Sequence, residues 1–163
     1  MKITAQEIEI AVAQHFGYRY KIVVPNVSWG LGLNYEADVV VLQKSGYAIE
    51  IEIKISASDI KADLKKRHQH DSNMFKQLYF AVPLELANNE NIPERAGILA
   101  VMGRETNGVR DVELKRAAKT NKNAVKLSEI QIRKLMSLGC MRIWRLKKKL
   151  FEISVKNRNE RTA

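Results

Sequence analysis

Helical and two-residue periods alternate along the chain, and most boundaries between them carry a residue that stops the preceding element. Residues 5–16 are predicted as a helix, with Thr4 at the N-cap, Glu7 and Glu9 near its positive end, and Gly17 just past its last turn. Residues 18–24 read as a strand halted by Pro25-Asn26, and Ser28 to Asn34, with Gly30 and Gly32, as a loop. The run 37–42 is nearly all apolar, the pattern of a strand covered on both faces. A turn at Lys44-Ser45-Gly46 leads into 47–55, where the period is strictly two. There Ile49, Ile51, Ile53 and Ile55 share one face, and Glu50, Glu52 and Lys54 share the other.

A helix follows over about 57–67, capped by Ser56 or Ser58, and then a polar loop over 68–75. Strands are predicted at 78–82, closed by Pro83, and at 96–102, with a short helix near 84–89 between them; 109–114 reads as an edge strand. The last element is a long amphipathic helix from Ser128 to about 153, broken or bent at Gly139. Its expected buried stripe is Leu138, Met141 and Trp144, extended by Leu150 and Phe151. Residues 157–163 read as a frayed, basic tail, leaving one domain over 1–156. The order of elements predicts an α/β fold, with helices packed around a mixed sheet.

A length of 163 residues suits one domain with its own core, and no run approaches the ~18 apolar residues of a membrane span. The N-terminus lacks a signal-peptide apolar region, and the single Cys140 excludes an intrachain disulfide or a multi-cysteine zinc site. A reducing cytoplasm is therefore the expected location. The net charge of +10 is unevenly spread. Residues 1–103 carry 11 Lys/Arg against 12 Asp/Glu, whereas residues 104–163 carry 17 against 6. A one-sided basic surface suits a polyanion, nucleic acid above all; a solvated helix face with a basic tail is the plainer reading.

A hairpin of this length sets Asp38, at the start of one strand, beside Glu52 and Lys54 near the end of the next. Two converging carboxylates repel unless a cation lies between them, and hard oxygen donors favour Mg²⁺ or Mn²⁺. Such an ion polarises a phosphoryl oxygen and activates water, and Lys54 is placed to offset developing charge. The same alternation also describes an ordinary half-exposed hairpin with cross-strand ion pairs.

Asp38, thirteen intervening residues and then Glu52-Ile53-Lys54 resemble the motif of the PD-(D/E)XK nuclease superfamily. With Ser56, Asp59 and Asp63 on the following helix and the Tyr79–Pro83 strand, the stretch 36–102 is similar to the MmcB-like DNA-repair branch. The resemblance implies a restriction-endonuclease-like fold and a Mg²⁺- or Mn²⁺-dependent deoxyribonuclease that often works as a dimer. It implies metal binding by Asp38, Glu52 and the main-chain carbonyl of Ile53, with Lys54 as the motif lysine, although Ala37 stands where the motif name expects proline. A glutamate of the first helix commonly joins such sites; Glu9 continues the core-facing stripe and is favoured over Glu7, which reads as a capping residue. Glu50 either supports the site from behind or pairs with Lys21 or Lys44. Arg142, Arg145, Lys147, Lys148 and Lys149 are the expected DNA contacts. His68 and His70 read as solvent-exposed loop residues or as metal or phosphate ligands. Trp29 reads as a base-stacking group, a core residue or a loop anchor, and Cys140 has no local His to activate it.

Overall fold

The computed structural model describes residues 3–63 and 72–162. In chain order the elements are α1 (Ala5–Phe16), β1 (Ile22–Val27), β2 (Ala37–Leu42), β3 (Ala48–Ile53), α2 (Ala57–Asp63) and β4 (Phe75–Pro83). A 3₁₀ turn at Leu84–Leu86 precedes β5 (Gly97–Thr106), β6 (Val109–Arg116) and α3 (Glu129–Thr162). The strands form one six-stranded sheet in the order β1-β2-β3-β4-β5-β6. β3 runs parallel to β4 and β4 to β5, while the remaining neighbours are antiparallel. This is the α/β fold, with helices flanking a mixed sheet, that the alternating periods predict.

Local chemistry explains the ends of α1. Thr4 and Glu7 form a capping box: the Glu7 amide donates to Thr4 Oγ1 at 3.2 Å, and the Thr4 amide donates to Glu7 Oε2 at 2.8 Å. Gly17 closes the helix at φ 74°, in the left-handed region. Arg110 on β6 then ties the helix to the sheet, its Nη2 lying 2.7 Å from Glu7 Oε1. The Thr4 main-chain hydrogen bond, reinforced by Arg110, holds the Glu7 carboxyl down at about 2. A depressed carboxyl stabilises the fold above its unfolded value of 4.5 and loses that contribution as pH falls toward 2. Glu7→Gln is therefore expected to flatten stability against pH between those limits; acid titrations followed by circular dichroism would show this, and an unchanged slope would contradict it.

Each sheet face carries its own core. On one face Ile8, Ala11 and Val12 of α1 pack against Val39, Val41, Ile49, Ile51 and Tyr79. On the other, Leu135 and Leu138 of α3 join Val24, Val27, Val40 and Phe75, while Ile60 of α2 joins Phe80, Val82 and Ile98. Between these last two clusters lies the face of β3 that carries Glu50 and Glu52. Glu50 is in register with Val40 on one side and Leu78 on the other, and Glu52 is in register with Phe80. A polar seam thus divides an otherwise apolar face.

Close packing near the start of β5 depends on a glycine. A Cβ at Gly97 would lie 2.3 Å from Tyr79 Cε1 and 2.8 Å from the Ala118 amide nitrogen. Gly97→Ala is expected to destabilise the fold by about 3 kcal/mol, the upper range for overpacking; an unshifted urea midpoint would contradict this.

Several boundaries differ from expectation. Residues 18–21 are a turn and not strand, so β1 begins at Ile22, and it runs through Pro25, which pairs with Val39, instead of stopping there. An edge strand tolerates a residue without an N–H because that position need not serve a ladder. β4 begins at Phe75, inside the expected loop, and β5 runs on to Thr106. α3 is continuous past Gly139 and reaches Thr162, so it includes 157–162, the expected tail. Gly139 instead lets the helix settle on β1, since a Cβ there would lie 3.4 Å from Val24 Cγ2. The expected buried stripe of α3 holds only at Leu138: Met141, Trp144, Leu150 and Phe151 are all exposed, because the helix runs beyond the sheet that would cover them.

Candidate active site

The carboxyl end of β3 gathers the candidate groups. The β2–β3 register pairs Val39 with Ile51, and one step on Asp38 Oδ2 accepts a 2.8 Å hydrogen bond from the Ile53 amide. Asp38 therefore lies across from Glu52, on the same sheet face. The Lys54 amide donates to the Ala81 carbonyl at 3.1 Å, which keeps the chain aligned with β4 just past the end of the strand. Lys54 Nζ then reaches Glu52 Oε2 at 2.7 Å and Asp63 Oδ1 at 2.9 Å. Asp63 is carried in by α2: Ser56 Oγ accepts from the Asp59 amide at the first turn, and burial of Ile60 turns the next residue on that side, Asp63, toward the seam.

The electrostatics follow from burial. Glu50 and Glu52 are 0% and 1% exposed, Asp63 4% and Lys54 8%. Desolvation works against the Lys54 ammonium, but the charge and hydrogen bond of Glu52, joined by those of Asp63, outweigh it and hold its pKa above the ordinary value. Lys54 is accordingly a fixed cation and not a proton acceptor. Tyr35 is pushed up by burial and then by the charge and hydrogen bond of Glu50, so its phenol remains a donor to that carboxylate. Glu50 is thereby a buried support of the seam and not a surface partner of Lys21 or Lys44, both of which are exposed.

At the rim stand Asp38 and Glu9, both half-buried. Burial raises the Glu9 pKa, opposed by a hydrogen bond with Asn26, and the charge of nearby Asp38 raises it further. The favoured glutamate of α1 thus approaches the first motif carboxylate, while Glu7 serves the cap and Arg110. Arg142 reaches this rim from α3: it bonds the Asn26 main-chain carbonyl and lies 3.7 Å from Glu36. Among the expected DNA contacts, Arg142 is therefore engaged in holding α3 to the end of β1. Arg145, Lys147, Lys148 and Lys149 lie exposed along α3, with Lys147 5.3 Å from the Trp144 ring centroid.

Trp29 is 41% exposed, and its loop lies against α3, where a Cβ on Gly30 would come within 2.9 Å of Lys134 Cβ. His68 and His70 lie outside the described residues. Cys140 is exposed. Beyond the motif residues the seam includes Glu50, Tyr35 and Asp63. The i, i+3 spacing of Ile60 and Asp63 was the available signal for Asp63; no periodic pattern marks Tyr35, which comes from a loop. A cavity of about 310 Å³ at the start of β4 is lined by Lys76, Arg95 and Lys119 together with Asn73, Asn121 and Asn123.

Among the described residues, no three His, Cys, Asp or Glu side chains converge as a metal cage. Asp38 and Glu52 are the two carboxylates that share a sheet face, and an ion held by so few protein donors would have to be one that keeps most of its water. Mg²⁺ binds in this way, through one or two carboxylates plus substrate phosphate.

No protein-family model and no curated protein matches the chain. Among solved structures, the SPO1766 protein of unknown function from Silicibacter pomeroyi is similar, with a TM-score of 0.64 and 22% identity. The match covers 94% of this chain and 96% of that one. The likeness extends over the whole fold, and at that identity it concerns the fold alone. No described helix is long and apolar enough to cross a membrane.

Proposed function

We propose that this protein is a metal-dependent deoxyribonuclease that hydrolyses phosphodiester bonds in DNA. The observation that carries this reading is the meeting of Asp38, Glu52 and Lys54 on one sheet face, with Asp38 on the Ile53 amide at 2.8 Å and Lys54 on Glu52 at 2.7 Å. Asp38 and Glu52, with the Ile53 carbonyl, would hold Mg²⁺ or Mn²⁺, and Glu9 would serve at the rim. The ion when bound supplies Lewis-acid polarisation of the phosphate and a more acidic water. Lys54, 2.7 Å from Glu52, orients that carboxylate and presents fixed positive charge to the phosphate. The basic C-terminal third supports a polyanionic substrate, with the exposed Arg145 and Lys148 of α3 as backbone contacts.

One observation favours a second reading, a DNA-binding module of the same fold that does not cut. Glu52 is 1% exposed and already paired with Lys54, so the seam is largely closed to a bulky substrate. Incubating purified protein with supercoiled plasmid and single-stranded DNA over a range of Mg²⁺ and Mn²⁺ separates the two. The nuclease reading predicts products that disappear with chelator. Salt-sensitive binding with no product at any ion concentration would leave the module.

A further inference from the structure

α3 is about 50 Å long at 1.5 Å per residue, and only its first part has a bed to lie on. Leu135 and Leu138 are buried, Gly139 abuts Val24, and Arg142 bonds the main chain at Asn26. Beyond that point Ile143, Leu146, Leu150 and Ile153 are 57%, 56%, 57% and 48% exposed. Their 3-4-3 spacing is the a and d pattern of a coiled coil, and Asn157 falls at the next a position. Gly139 and Ile132, which face the sheet, lie on the same stripe one and two heptads before Leu146. The face that packs on β1 therefore continues as an aliphatic row with no sheet beneath it. Four large aliphatic side chains in one row exceed the scattered apolar exposure of an ordinary surface.

The flanks of the row carry one sign of charge. Lys149 and Lys156 lie along one edge, and Lys147 with Ser154 along the other. We propose that residues 143–157 of α3 dock an amphipathic helix of a partner protein whose flanking positions are acidic. A second copy is a poor occupant, because parallel or antiparallel pairing brings these lysines toward their own counterparts. A bilayer surface requires a broad apolar face, whereas Lys147 and Ser154 separate this row from Trp144 and Phe151. Nucleic acid would engage the lysines and leave the aliphatic row in water. The inference is independent of the nuclease reading, since the row lies past the contacts of α3 with the domain.

The test uses the full chain and a synthetic three-heptad helix with Leu at a and d and Glu at e and g, titrated by calorimetry at about 50 mM salt. A one-to-one complex is expected, weakened about tenfold or more by Leu146→Glu with Leu150→Glu and about tenfold by 0.5 M salt. The same helix with Lys at e and g should not bind. Failure of the acidic helix to bind, or equal binding of the lysine helix, overturns the proposal. So does self-association abolished by Leu150→Glu in sedimentation, or binding to phosphatidylglycerol vesicles in place of the acidic helix.

Discussion

Asp38→Asn is expected to lower Mg²⁺-dependent DNA cleavage by about a thousandfold, the scale of losing a preorganised electrostatic group, while leaving the fold intact. The carboxamide keeps an oxygen in the position that accepts the Ile53 amide at 2.8 Å, so the β2–β3 edge loses no hydrogen bond. What disappears is one unit of negative charge at the half-buried rim, where Glu9 and Asp38 already repel each other and where a hydrated cation would be held. The unfolding midpoint should stay near that of the wild type, or rise slightly from relief of that repulsion. Wild-type cleavage by the variant would remove Asp38 from the proposed site. A variant that fails to fold would show instead that the carboxylate is structural.

Lys54→Met is expected to cost about 3–5 kcal/mol of stability, the range for breaking a buried ion pair from one side. Lys54 is 8% exposed and lies within 3 Å of both Glu52 and Asp63, so its removal leaves two buried carboxylates facing each other. Adding Glu52→Gln and Asp63→Asn to Lys54→Met should recover much of the loss, because neutral amides can share hydrogen bonds where carboxylates repel. If the triple variant is no more stable than the single one, packing by the lysine stem is the cause and not the uncompensated charge. The pH dependence has a definite sign. The Lys54 pKa is raised above its ordinary 10.5, so its contribution is complete below that pH and is lost only as pH rises through the higher folded value. Urea unfolding at pH 7 and pH 10 should therefore show the wild-type advantage at both. Activity loss in Lys54→Met is interpretable only where the protein remains folded.

Much of this arrangement was legible in residue order. The two-residue period at 49–55 put Glu50, Glu52 and Lys54 on one face, and Thr4, Gly17 and Ser128 marked helix ends that the structure keeps. What period alone left open was which partner covers a face. Glu50 had the pattern of a surface residue paired with a lysine, yet β3 lies third in a six-stranded sheet and Tyr35 comes over it from a loop. Asp63 stood out only with Ser56 and Asp59 in the pattern of the following helix, and it is the burial of Ile60 that decides its rotation. The apolar positions of α3 predicted burial for Trp144 and Phe151 because amphipathic spacing does not record where the sheet ends. Pro25 carried a stop that holds for interior strands and fails at an edge.

The most direct test of the carboxylate pair as an ion site is Mn²⁺ titration followed by electron paramagnetic resonance, on the wild type and on Asp38→Asn. The proposed site predicts loss of the free-ion signal equivalent to one Mn²⁺ per wild-type chain, competition by Mg²⁺, and a largely undiminished signal with Asp38→Asn. An undiminished signal with the wild type, or identical retention by both proteins, would contradict it.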